Sequence, residues 1–183
     1  MKHCLSITLL TWGAVFFPGA LRAQTDSGPG RGSPIEPLKV AALTGDDAGQ
    51  ELDFASRRAG KPTLFVFIQG DKWDRPVARF VATLDKELSK DRHDVAVIAV
   101  WLTDDVEKTK EYLPRVQQSL NLSQTILAVF PGDKNGPPGW AINPGAHLTA
   151  VVAEDSRVSA SFGFRSLNET NVPAVLDKLK PKQ

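Results

Sequence analysis

A chain of 183 residues with 22 basic and 21 acidic side chains has a net charge of +1, too little cationic excess to hold a nucleic-acid backbone. With 42% apolar residues it has enough material for a domain-sized core. Its single cysteine, Cys4, rules out an intramolecular disulfide framework, so any fold must rest on that core.

Residues 1–23 read as a secretory signal. Met1, Lys2 and His3 make a short, weakly basic start, residues 5–21 are an apolar stretch interrupted by Pro18, and Ala23 suits the position before the cut. The stretch falls short of the ~20 apolar residues of a spanning helix, so no stable membrane span is expected after cleavage. The mature protein is expected to be exported, to a periplasm, the cell envelope or the exterior. Removing the signal also removes Cys4, leaving no thiol, and brings the net charge to about −1. Residues 24–37 hold three glycines and three prolines and almost nothing apolar, which predicts a flexible leader. The domain is then expected over 38–183.

An apolar run at 38–43 is followed by the polar turn Thr44-Gly45-Asp46-Asp47. Gly60-Lys61-Pro62 punctuates the chain ahead of Thr63–Gln69, an unbroken run of β-formers that predicts a strand buried on both faces. Asp74, Arg75 and Pro76 open a helix: Asp is a good N-cap, and proline is tolerated in a first turn. Val77, Phe80, Val81, Leu84 and Leu88 recur at helical spacing, with Asp85, Lys86, Glu87 and Lys90 read as its outer face. Residues 95–102 are a second buried strand. Thr103 and Asp104 are read as capping another helix, which Pro114 is expected to kink or split. A third strand at 125–130 leads into a loop at 131–145 that carries Trp140. Strands at 148–152 and 158–164 form a hairpin through Glu154-Asp155-Ser156, and Val172, Val175, Leu176 and Leu179 mark a last helix. This alternation predicts an α/β fold with a mixed central β-sheet flanked by helices on both faces, ending in a β-hairpin plus helix.

Four segments carry a further likeness: Gly49-Gln50-Glu51-Leu52, Gly60-Lys61-Pro62 ahead of Leu64-Phe65-Val66-Phe67, residues 126–133, and residues 149–156. Together they resemble the thioredoxin-like superfamily, on its peroxiredoxin and TlpA-type (alkyl hydroperoxide reductase/thiol-specific antioxidant) branch, over roughly residues 38–180. The resemblance implies a thioredoxin-like fold with a reactive cysteine at the start of the helix after the central strand, where the helix dipole would stabilise a thiolate. Here that place holds Asp71-Lys72-Trp73-Asp74-Arg75-Pro76. The family's cis-proline, just before the hairpin, falls by spacing on Ala146 or His147, with Pro144 arriving a little early. Disulfide exchange and peroxide reduction both need a thiolate. Neither is therefore expected of the mature chain.

The carboxyl ends of the strands are where open α/β sheets bind ligands. Trp73, Trp101 and Trp140 fall at or beside these ends, and Lys72, Asp74, Arg75 and His147 join them as candidate lining of one cleft for an unknown protein, peptide or small molecule. Each has a plainer reading: Trp101 as core, Trp140 as packing for its loop, Asp74 as an N-cap, Lys72 and Arg75 as solvated charges, His147 as a structural histidine. His147 with Asp74 or Lys72 is the one arrangement that would support non-thiol catalysis. A third reading is a redox accessory protein that docks a thiol oxidoreductase without reacting itself. No spacing of His, Cys, Asp or Glu calls for a metal, no glycine-rich phosphate loop appears, and no cofactor is expected. The formal glycosylation acceptors at Asn121 and Asn168 add nothing without a host that uses them.

Overall fold

The computed structural model describes residues 24–179. In chain order the elements are β1 (Gln24–Thr25), β2 (Lys39–Ala42), β3 (Glu51–Asp53), α1 (Phe54–Arg57), β4 (Thr63–Gln69), α2 (Arg75–Asp91), β5 (Ala96–Leu102), α3 (Val106–Leu120), β6 (Thr125–Val129), β7 (Leu148–Glu154), β8 (Arg157–Phe164) and α4 (Val172–Leu176). The signal segment expected at 1–23 lies outside the described residues.

Every residue of β4 is buried, and its side chains divide by parity. Leu64, Val66 and Ile68 enter one core, while Phe65 and Phe67 enter another on the opposite face. β5 repeats the division with Val97, Ala99 and Trp101 against Ile98, Val100 and Leu102. A strand with core on both faces must be apolar throughout, which is why these segments read as unbroken runs. The eight strands form one sheet in the order β1-β8-β7-β4-β5-β6-β2-β3. β4, β5 and β6 run parallel, joined by α2 and α3, and the remaining pairings are antiparallel. The expected mixed sheet and hairpin are therefore present.

The two faces are covered unequally. α2, α3 and α4 pack on one through Phe80, Leu84, Leu113, Val116, Val172 and Val175. On the other, α1 is a single turn, and Phe54 shares the cover with Leu38, Ile142 and Trp140 from irregular segments. The hairpin turn holds Asp155 and Ser156 with φ of 51° and 61°. Two successive left-handed residues give a turn whose twist matches the strands it joins.

Four expectations are corrected. Residues 24–37 are not a loose leader: β1 pairs with β8, the buried Ser27 hydroxyl bonds Thr149, Gly28 N–H donates to Ala141, and Ser33 and Ile35 bond the hairpin. Backbone pairing along the β8 edge replaces the apolar burial that this segment lacks. Asp85 is not on the outer face of α2 but 3% exposed, accepting from the backbone N–H groups of Ser123 (2.9 Å), Gln124 (2.9 Å) and Thr125 (2.7 Å) at the start of β6. Burial pushes its carboxyl up, but those donors outweigh it and hold the pKa below the usual carboxylate value. α3 runs unbroken through Pro114, so proline does not split it. Its cap is Asp105, which accepts from Lys108 N–H, with Thr103 holding Asp105 in turn.

Candidate functional site

Because β4 and β5 are parallel and in register, Gln69 stands beside Leu102 at their carboxyl ends. From there the chain turns through Gly70–Lys72 into α2, and through 103–105 into α3. The two departures leave a cleft of about 480 Å³, whose wall includes Gln69, Trp73, Trp101, Lys108 and Tyr112.

Trp73 is the centre of that wall. It is half-buried, its ring lies 4.9 Å from that of Trp101 at 58°, and its Nε1–H donates to the Tyr112 hydroxyl at 3.1 Å. A tilted aromatic pair with one polar tip satisfied is a rigid surface for an apolar ligand face. Trp101 is 2% exposed and belongs to the core as well as to the cleft floor. Across the mouth, the Asp104 carboxylate holds Lys134, whose ammonium it stabilises above the ordinary lysine pKa.

The other candidate residues are dispersed. Asp74 is the N-cap of α2: its Oδ1 accepts from Val77 N–H at 2.9 Å. Lys72 is exposed and paired with Asp71 at 3.0 Å, and Arg75 is exposed on the first turn of α2; neither lines the cleft. Trp140 is on the opposite face of the sheet. It is 1% exposed, its ring lies 5.0 Å from Phe65 and 4.9 Å from Phe67, and its Nε1–H donates to the carbonyl of Pro37. That face has only one short helix, so a large side chain from the 131–147 loop completes its core. His147 enters through its backbone, donating N–H to Phe164 and accepting from Gln69 N–H. Its ring makes no hydrogen bond among the described residues, so the dyad with Asp74 or Lys72 does not form. All described peptide bonds are trans, including the one before Pro144. No cluster of His, Cys, Asp or Glu among the described residues is placed to hold a metal ion.

Reading from the sequence missed Gln69, Tyr112, Lys108 and Arg115. A signal was present: Lys108, Tyr112 and Arg115 stand at i, i+4 and i+7, one stripe of α3.

No protein-family profile matches the sequence, and no curated protein matches it. The solved structures do. A DsbF homologue from Corynebacterium diphtheriae superposes with a TM-score of 0.59 at 13% identity, covering 90% of this chain and 98% of that one. A thiol peroxidase from Chromobacterium violaceum gives 0.57 at 13% identity, covering 86% and 91%. A secreted disulfide oxidoreductase of Mycobacterium tuberculosis gives 0.51 at 15% identity, covering 75% and 95%. The fold is thioredoxin-like. Within this thioredoxin-like fold, the start of α2 is the place where the resemblance puts a reactive thiol, and Asp74 and Trp73 stand there instead. The free N–H groups that would steady a thiolate are met in part by a carboxylate of the same chain, through Val77 N–H. The chain's only thiol is Cys4.

Proposed function

We propose that this is an exported thioredoxin-like domain that has kept the fold's strand-end cleft for recognition and given up its sulfur chemistry. One observation carries the reading: at the start of α2, where a nucleophilic thiol would stand, Asp74 closes the helix end and Trp73 forms an aromatic wall with Trp101 and Tyr112. A thiolate is the reacting species of disulfide exchange, and no side chain at this place supplies one. What remains is a concave surface with an aromatic centre and a polar, charged surround, a form that a ligand site can take. The secretory-type segment at 1–23 supports export, as does a secreted protein among those of like fold.

The ligand is an unknown small molecule, peptide or protein segment that inserts an apolar group against Trp73. A screen of small molecules and peptides, read by tryptophan fluorescence, tests this. Ligands found should lose most of their affinity for Trp73→Ala while near-ultraviolet circular dichroism shows an intact fold. Unchanged binding by the folded variant removes the site.

A further inference from the structure

We infer that the ligand class is a monocarboxylate carried on an aromatic body, its ring against Trp73 and its carboxylate among Lys108, Arg115 and Gln69. This rests on the reading of the cleft as a binding site and narrows its chemistry.

Three of the cations around the cleft are already matched. Lys72 pairs with Asp71 at 3.0 Å, Lys110 with Glu107 at 2.7 Å, and Lys134 with Asp104. Lys108 forms no side-chain bond among the described residues. Arg115 gives Nε–H only to the Glu111 carbonyl of its own helix, at 3.3 Å. Both line the cleft, on either side of Tyr112 along the same stripe of α3. At ~1.5 Å of rise per residue their backbones are about 10 Å apart along the helix, a distance that two long side chains can close around one carboxylate.

Gln69 supplies a second and independent observation. It is 6% exposed, and its Nε2 has no hydrogen-bond partner although it is shut away from solvent. A buried donor left unpaired is costly, and this one sits at the cleft end of the central strand. The terminal amide torsion of glutamine is soft, so the N–H₂ group can turn to an oxygen placed in the cleft. Gln69 Nε2 has no acceptor at all, and the exposed Lys108 ammonium and the terminal nitrogens of Arg115 face only solvent, so a carboxylate could accept from each. The wall between them is aromatic, with Tyr112 42% exposed.

The acidic side chains set the limit on charge. Asp71 and Asp104 are held in ion pairs and Asp105 caps α3, but Glu111 lines the cleft with its carboxylate in no salt bridge. Glu111 stands between the two cations, three residues from Lys108 and four from Arg115, so two positive charges less one negative leave a single unmatched positive charge, enough for one ligand carboxylate.

Two sources carry this chemistry, a free aromatic acid and the carboxyl terminus of a peptide ending in phenylalanine. The test uses the whole protein with nitrogen-labelled tryptophan and follows the Trp73 indole signal by NMR. The probes are 3-phenylpropionate, its uncharged amide, and a short peptide ending in phenylalanine with its terminus free or amidated. At least one free acid should shift the Trp73 signal and bind about tenfold or more tighter than its amide. Lys108→Met should remove that preference, whereas Lys110→Met should keep it, and the preference should shrink as salt is raised. Which acid binds tighter names the source. Equal binding of acids and amides overturns the inference while leaving the cleft in place. Silence of the Trp73 signal toward all four probes also overturns it; the cleft reading then stands or falls on the wider screen.

Discussion

The most consequential single side chain outside the cleft is Asp85, which gathers three backbone donors where α3 gives way to β6. Asp85→Ala leaves three donors unpaired in a buried place and should cost about 3 kcal/mol of stability, measured by urea unfolding. The same contacts fix a pH dependence. At Asp53, burial pushes the carboxyl up, but donors from Ser56, Leu38 and Ala55 outweigh it, so its pKa is lowered like that of Asp85. Below the ordinary carboxylate pKa the unfolded chain binds more protons than the folded one. Stability supplied by these groups is therefore complete above about pH 4 and is lost as the pH falls through the lowered folded values. Unfolding free energy should fall on acidification in that window, and Asp85→Asn should flatten the fall; an unaltered slope would remove Asp85 as a source. Trp140 makes a different kind of contribution, mainly through packing, with one hydrogen bond to the Pro37 carbonyl. Trp140→Ala should cost about 3–5 kcal/mol and leave ligand binding by the folded fraction unchanged, since its ring is across the sheet from Trp73.

At the scale of elements, helix boundaries and turns carry local costs that substitution can release. Pro114 sits inside α3, where it removes one backbone bond and crowds the preceding turn. Pro114→Ala should raise stability by about 1–3 kcal/mol, read as a higher urea midpoint with an unchanged slope. Ala141 is exposed, between the core residues Trp140 and Ile142, and has φ of 47°, so Ala141→Gly should add about 1 kcal/mol by relieving a left-handed backbone. The elements show what was legible in advance. β4, β5 and the apolar stripe of α2 were readable because burial on two faces or on one helical stripe leaves a periodic signature. Asp85 was misread because an acid at an apparently outer position has the same spacing whether it meets water or three backbone donors. Residues 24–37 were misread for a related reason: backbone pairing to a sheet edge leaves no trace in side-chain composition.

For the whole molecule, the sheet order and the likeness to solved structures establish the thioredoxin-like fold, as the sequence pattern implied. The candidate site was legible only in part. Trp73 was found at a strand end, but Trp140 packs on the opposite face of the sheet, His147 meets the end of β4 only through its backbone, and the α3 wall was overlooked. Proximity to a strand end does not say which face of the sheet a long loop will cover. Asp74 behaves as its position after the central strand requires, as a helix cap.

Whether this fold persists here without its usual sulfur chemistry is decided most directly by a catalytic measurement. The full-length protein and its Cys4→Ser variant should be assayed side by side for reduction of a protein disulfide and for peroxide turnover, each with an excess of dithiol reductant. Neither protein should exceed the rate of the reductant alone. Turnover above that rate by the full-length protein, lost in Cys4→Ser, would contradict that expectation.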